Sequence, residues 1–555
     1  MFLIQIQSIL TVLAATLPLA CVISSAHAGE DKYSQQMTYP LTDGAALPRM
    51  PTAAEKEWMH KNPQSIAKLA NVQPQGTVVS STEYQPSEAI IYGWSGSTSW
   101  KTILAQMAKQ ITTVGQADVI VVVANATDLA AMTSLFNTNN VNMSRVRTIT
   151  GALNSIWMRD YGPRIQYESG VRVIVDSIYY STRPLDNAIP TVLAAALNKP
   201  HYALNLLHSG GNYHMGESGV GYATRLAVDD NPSLSESQIS ALFQSYYGMF
   251  TRWQTQLPWS VDATGHVDMW FMPIDTNKII ISSWPANVGS AQALTCDAAA
   301  IDMQNRGFTV YRVPARLING VHYTYVNSVI CNNLVLIPSY TNTTVSQYNA
   351  QALAAWQAAL PGKTVVAIPC QNIISAAGAM HCIVMHYPTH TGGNNPVVYV
   401  RSPNTAQQLS PTNAVSVQWI SDHVRTITSV DIQLSLDEGV TFTTVAANEA
   451  NDGAYTWIVP DEYSTSARIR VLARDALGNT GSDQSDVSFA INGMQQRNGD
   501  LDHDDFITIS DLSLMLLEWG LCPNAADCPS DLDRDEETSG SDLGNLLLML
   551  DESVE

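Results

Sequence analysis

The chain has 555 residues, 45% of them apolar, with 12 Trp and 22 Tyr, so it is too long for one ordinary core and too rich in large side chains for a disordered polymer. Its formal charge is −21, but residues 498–555 alone carry 16 acidic side chains against one basic, Arg534, which is −15 and leaves −6 for everything before. A near-neutral body without a basic patch excludes electrostatic binding of nucleic acid, and an acidic tail signals either a solvated face or cation ligation.

Residues 1–28 read as a secretory signal peptide: an apolar stretch from Ile9 to Ile23, then Ala26-His27-Ala28 as a small-x-small cleavage site with Gly29 as the new N-terminus. The mature chain is expected to be secreted, periplasmic or held at the cell surface, with no membrane span of its own. Residues 29–80 form a lead segment without a strong pattern.

From 81 to 390, short β-branched runs alternate with amphipathic helical stretches. "EAIIYGW", "ADVIVVVA", "VRVIVDSIYY", "NKIIISSWP", "FTVYRVP" and "NLVLIPSY" predict strands. "SWKTILAQMAKQITTV", "IPTVLAAALNK", "SESQISALFQSYYGMF" and "VSQYNAQALAAWQAALPG" predict helices. The alternation means an α/β domain, either a doubly wound sheet or a radial repeat.

Polar residues stand out in four apolar settings within this block. In "SIWMRDYGPRI", Asp160 lies beside Trp157 and a Gly-Pro turn, a carboxylate able to hold a cation against aromatic walls or to close a salt-bridged turn. In "HSGGNYHMGESGVG", Gly211 and its neighbour Asn212 belong to a stretch whose glycines permit close backbone approach to a ligand. In "DATGHVDMWF", His266 and Asp268 are two apart and share a face on an extended chain, the minimum for oriented acid/base work; no third ligand at metal spacing accompanies them. In "AGAMHCIVM", small residues lead into Cys382, half of a disulfide or a thiol kept free for chemistry. The other mature cysteines are 296, 331, 370, 522 and 528. Cys522 and Cys528 make a natural local loop, and Cys331 with Cys370 could pair, which would leave Cys296 and Cys382. One thiol, one imidazole and two carboxylates suit a planar cation such as guanidinium, whose fork of donors matches paired carboxylates.

Residues 391–411, rich in Gly, Asn, Pro and Thr, read as a linker. Residues 412–492 ("VSVQWIS", "SVDIQLSLD", "AYTWIVP", "ARIRVLARD") alternate with turn signals at even spacing, the pattern of an immunoglobulin-like β-sandwich. In 498–555, "DLDHDDFITISDLSLMLLEWG" recurs as "DLDRDEETSGSDLGNLLLMLD" 31 residues later. Each copy places Asp at positions 1, 3, 5 and 12 of a loop: Asp500, Asp502, Asp504, Asp511, then Asp531, Asp533, Asp535, Asp542. Such oxygen ligands at that spacing suit Ca²⁺. Position 6, which favours Gly, is Asp505 and Glu536. The tail resembles a dockerin, a small α-helical module with two calcium loops, which implies structural Ca²⁺ and a cohesin-like or cell-surface partner.

The ordered motifs "TEYQPSEAIIYGW", "WMRDYGP", "HSGGNY", "GHVDMW", "YTYVNSVICNNLVLIPSY" and "AGAMHCIVM" resemble the bacterial agmatine deiminase and Porphyromonas-type peptidylarginine deiminase family. The resemblance implies a five-bladed α/β propeller (pentein) with Cys382 as nucleophile, His266 as general acid/base, and Asp160 and Asp268 as guanidinium clamps. It further implies a pocket lined by Trp157 and Asn327, with Gly211 and Asn212 as substrate-binding positions, and no cofactor for catalysis. Ser209, where agmatine-type members carry an acid, points to the peptidylarginine branch. Arg183 in "YYSTRPLD" matches one of that branch's two carboxylate-binding arginines, and Ser181 occupies the neighbouring position. The substrate is then an arginine-containing peptide or protein, or an agmatine-like small molecule. A thiol hydrolase acting on amides and a non-catalytic scaffold are the competing classes.

Overall fold

A computed structural model describes residues 46–62, 72–492, 499–502, 506–522 and 528–550. The signal-peptide reading, Asp504 and Asp505 fall outside them.

The catalytic block is built from one unit used five times. In each, two antiparallel strands are followed by a helical connection and a third strand parallel to the second. Arg164–Glu168 pairs antiparallel with Val171–Ile178, which pairs parallel with His201–Leu207 across the helix Ile189–Leu197. The same order recurs from His214–Met215 to Phe250–Gln254, from Phe271–Asp275 to Thr309–Ile318, and from Val329–Cys331 to Leu334–Ser339 and Thr364–Pro369. In the fifth sheet the first strand comes from the far end of the block. Val384–Pro388 pairs antiparallel with Ser87–Gly93, which runs parallel to Asp118–Val123. The chain thus closes on its own beginning, and the result is five small sheets of three or four strands.

Local chemistry explains the elements. The middle strands are covered on both faces, so they read as continuous apolar runs such as Val119–Val122 and Ile279–Ile281, all fully buried. The helix Thr98–Thr113 starts where the Ser97 side chain accepts from the Trp100 amide, and buries Trp100, Ile103, Leu104, Met107 and Ile111 along one stripe. The predicted helix "VSQYNAQALAAWQAALPG" is split into Thr343–Ser346 and Asn349–Ala359. The final "MF" of another begins to turn into the strand Phe250–Gln254.

Two expected boundaries move. Val78–Ser80, placed in the lead segment, pairs with Arg164–Glu168 and belongs to the catalytic block. Val397–Ser402, placed in the 391–411 linker, pairs with Ala414–Asp422 and opens the sandwich. The sandwich has one sheet of Val397–Ser402, Ala414–Asp422 and Ala454–Ile458, facing a second built on Ile427–Ser435 and Tyr463–Asp475. Val417, Trp419 and Trp457 from the first meet Ile432, Ile469, Val471 and Phe489 from the second. It is anchored to the catalytic block by buried Asp422, which pairs with Arg172 at 2.7 Å and Lys199 at 2.7 Å. No helix among the described residues is long and apolar enough to cross a membrane.

The cysteine alternatives resolve cleanly. Cys522 and Cys528 form a disulfide, while Cys296, Cys331, Cys370 and Cys382 are buried and unpaired. The Cys331–Cys370 pair considered from sequence is not made.

Candidate active site

Each unit presents a short turn just before its first strand, and these turns bring distant residues together. Asp160 sits in the turn Met158–Tyr161, Gly211 and Asn212 in Gly210–Asn212, Asp268 in Val267–Met269 with His266 capping it, and Cys382 in His381–Ile383. Asn327 precedes the strand Val329–Cys331 in the same way. Repetition of one fold unit therefore supplies a site in which each unit contributes one face.

The site contains a further residue that no motif announced, Arg49 from the lead segment. Its Nε and Nη2 donate to the two oxygens of Asp160 at 2.8 and 2.9 Å. Nη1 and Nη2 donate to the two oxygens of Asp268 at 3.1 and 3.0 Å. The guanidinium is thus held by two bidentate carboxylates, with all three side chains buried. Its backbone is held as well: Arg49 N donates to Ala376 O at 2.9 Å, and Trp157 Nε1 donates to Leu47 O at 2.9 Å.

Cys382 Sγ lies 3.3 Å from Asn327 Oδ1 and 3.7 Å from Asp268 Oδ2, the oxygen that also receives Arg49 Nη2. Asn327 Oδ1 further accepts the amides of Ala379 and His381, and its Nδ2 donates to Asp268 O, which locks the Cys382 turn to the Asp268 turn. Gly378 is required here: a Cβ would stand 2.6 Å from the Trp157 ring and 3.0 Å from Cys382 Sγ. At Gly211 a Cβ would stand 1.9 Å from Arg49 Nη2 and 2.9 Å from His266 Nδ1, so the guanidinium packs directly on backbone. Asn212 makes no contact with the guanidinium among its hydrogen bonds. It accepts from the Thr224 and Val267 amides and ties its turn to that of Asp268.

His266 Nδ1 is 3.6 Å from Asp160 Oδ1, and neither ring nitrogen has a hydrogen bond among the described residues. Burial, reinforced by the Arg49 cation, lowers its pKa to about 4, so it is neutral. Burial pushes the Cys382 thiol well above its usual range despite the opposing pull of Arg49. For Asp268, burial opposes ionisation, but Arg49 and the bond from His381 outweigh it and hold the carboxyl well below the usual range.

His381 is not among the residues that the sequence singled out. The structure places it in a buried relay: Arg159 Nη1 to Glu83 at 2.6 Å, Glu83 to His381 Nε2 at 2.7 Å, and His381 Nδ1 to Asp268 at 2.8 Å. This chain of partners fixes the Asp268 carboxylate in place. Glu83, His214 and His381 lie close enough to share a metal ion, but Glu83 and His381 already spend their polar atoms on the relay. Arg183 faces the lead segment. It pairs with buried Glu55 at 2.9 Å and donates to the carbonyls of Pro48, Arg49 and Met50.

Four buried imidazoles have lowered pKa values, each chiefly through burial: His208 and His214 at about 3, His266 and His386 at about 4. The unfolded chain takes up these protons near pH 6.5, whereas the fold refuses them until about pH 3–4, so stability is full above about pH 6.5 and falls as the pH descends. Buried Asp186 and Asp230, raised to about 7, act in the opposite sense, but with fewer groups. The urea midpoint of the catalytic block is expected to be lower at pH 5 than at pH 7.5.

In the tail, Asp531, Asp533, Asp535 and Asp542 bring one oxygen each within 4.8 Å of the others, as do Asp500, Asp502 and Asp511. Asp542 closes its loop by accepting from the amides of Leu532, Asp533 and Ser539; Asp511 does the same for Leu501, Asp502 and Thr508. Glu536, at the position that favours glycine, adopts φ +70°. An all-carboxylate donor set of this kind fits a hard divalent cation.

The Porphyromonas-type peptidyl-arginine deiminase profile matches residues 80–388, more than half of the chain. Among curated relatives, a "Putative agmatine deiminase" of Vibrio parahaemolyticus is 24% identical over 287 residues, 44% of this chain and 79% of its own. One of Legionella pneumophila is 24% identical over 318 residues, 53% and 89% of the two chains. Among solved structures, the "Putative Arginine Deiminase from Porphyromonas gingivalis" superposes with TM-score 0.50 at 20% identity, over 56% of this chain and 99% of that one. A "putative agmatine deiminase" superposes with TM-score 0.52 at 17% identity, over 58% and 98%. With that profile spanning the five sheets and the turns that carry Asp160, His266, Asp268 and Cys382, the chain belongs to the Porphyromonas-type peptidyl-arginine deiminase family, hydrolases acting on the C–N bonds of amidines.

Proposed function

We propose that this chain is a secreted peptidylarginine deiminase, converting arginine within peptides or proteins to citrulline with release of ammonia. The observation that carries the substrate class is Arg49: an arginine in mid-chain reaches both carboxylates while its flanking backbone is bonded to Trp157, Arg183 and Ala376. A site that admits chain on both sides of the arginine accepts internal residues. The two clamps take four of the five N–H donors of the guanidinium, leaving one on Nη1, so selectivity rests on the planar cation.

In the proposed mechanism Asp160 and Asp268 orient the guanidinium and Cys382 Sγ bonds to its central carbon as the thiol proton passes to His266. The tetrahedral adduct expels ammonia, which takes that proton, leaving an S-alkylthiouronium. Water, deprotonated by His266, then bonds to the same carbon and Sγ departs, giving the ureido product and a restored thiol. A neutral His266 in the resting site is in the right state to accept the first proton. Five units of one topology, closed by Val384–Pro388 on Ser87–Gly93, support reading the block as a five-bladed propeller with the site on its axis.

The test presents purified protein with peptides bearing internal or C-terminal arginine, free arginine and agmatine, scoring ureido product. Internal peptidylarginine is expected to be turned over best; turnover of agmatine alone would overturn the substrate class.

We propose further that the tail is a dockerin-like module holding structural Ca²⁺ through Asp500, Asp502, Asp504 and Asp511 and through Asp531, Asp533, Asp535 and Asp542. A cohesin-like partner at the cell surface would be its counterpart. Because an ion that binds only the folded form adds about 2.7 kcal/mol at a hundredfold excess over Kd, chelation is expected to collapse the amide dispersion of 499–550. Amide spectra identical with and without chelator would contradict it.

A further inference from the structure

The lead segment is seated in the catalytic site as a substrate would be. Arg49 fills both carboxylate clamps, and one oxygen of Asp268 serves both Arg49 Nη2 and, at 3.7 Å, Cys382 Sγ. The segment is fastened outside the pocket too. Thr52 caps the helix Ala53–Lys61 in a reciprocal pair with Glu55, and Glu55 salt-bridges Arg183, whose remaining donors reach the carbonyls of Pro48, Arg49 and Met50. A side chain attached to the same polypeptide competes at an effective concentration of about millimolar. Any added arginine must displace it.

We propose that Arg49 is a self-modification site: the enzyme deiminates it in cis as its first turnover, and the resulting citrulline releases the site for other substrates. This rests on the deiminase reading above. Cys382 Sγ bonds to Cζ of Arg49, one Cζ–N bond breaks and ammonia leaves with the proton carried by His266. Water then adds to Cζ as Sγ departs, so that guanidinium plus water becomes a ureido group plus ammonium, with no oxidant or cofactor. The consequence is electrostatic. The ureido group is neutral and replaces one donor nitrogen with a carbonyl oxygen that faces carboxylate oxygens. Four charge-assisted hydrogen bonds to Asp160 and Asp268 lose their charge, and at least one becomes repulsive. Citrulline 49 is therefore a poor competitor where Arg49 was a strong one.

The experiment is peptide mass spectrometry of the full chain at residue 49, followed in time after purification and compared with ureido formation on an added internal-arginine peptide. Citrulline at 49 is expected in the native chain, arginine in C382A, and arginine still in C382A after mixing with native enzyme, since the segment is reached only from its own site. Peptide turnover is expected to show a lag that tracks the conversion, and R49Q to show none, with an apparent KM at least about tenfold below that of the unconverted chain. A native chain that turns over peptide while residue 49 stays arginine overturns self-modification and leaves the deiminase reading intact. A chain in which neither the native form nor R49Q makes ureido product overturns both. The mass measurement on the native chain needs no variant, so poor folding of R49Q does not blunt the test.

Discussion

Cys382→Ala is expected to eliminate ureido product from arginine peptides, with a loss on the order of 10⁶-fold, as when a covalent catalyst loses its nucleophile. The thiol has one neighbour that orients it, Asn327 at 3.3 Å, and one that also holds the Arg49 guanidinium, Asp268 at 3.7 Å. Alanine keeps the turn His381–Ile383 and its backbone bonds to Asn327 Oδ1, so the fold loses only a small buried side chain, about 1 kcal/mol. Activity and stability should therefore separate: no turnover, with a nearly unchanged melting midpoint. Turnover that survives the substitution would remove Cys382 from the chemistry.

Asp268→Asn should produce the second largest effect. Asp268 takes two hydrogen bonds from the guanidinium, one from His381, and stands beside the thiol. Amide substitution keeps the shape but removes the charge that balances a buried cation, a change of about 3–5 kcal/mol, or about two to four powers of ten in kcat/KM. Stability should fall as well, because Arg49 is itself a buried cation that Asp268 helps to balance. Activity within a factor of a few of the native enzyme would mean that Asp160 alone supplies the clamp.

Much of the candidate site was readable from local residues. Asp160, His266, Asp268 and Cys382 lie in short polar motifs inside apolar stretches, and such motifs stand out because burying them has to be compensated by partners; Asn327 came only with the family resemblance. Glu83 lay within a quoted motif, but nothing local marked its bonds to Arg159 and His381. Nothing local marked a role for His381 either, and only the packed site shows that His266 faces Asp160 while His381 holds Asp268. Strands such as Arg164–Glu168 and Val220–Thr224 carried too weak an alternation to identify before their partners were in place.

The amino-acid order by itself determined the α/β alternation, the sandwich, the repeated acidic loops and the four chemical residue types, because each is written in periodicity or in short spacing. Only the tertiary structure decided which cysteines stay unpaired, where the sandwich begins, and what fills the guanidinium clamp. Those depend on distances between residues far apart in the chain: 111 positions separate Arg49 from Asp160, and 219 separate it from Asp268. No local signal distinguishes Arg49 from any other arginine before a methionine and a proline. It acquires its place because a buried pair of carboxylates requires a cation, and this fold brings that one to them.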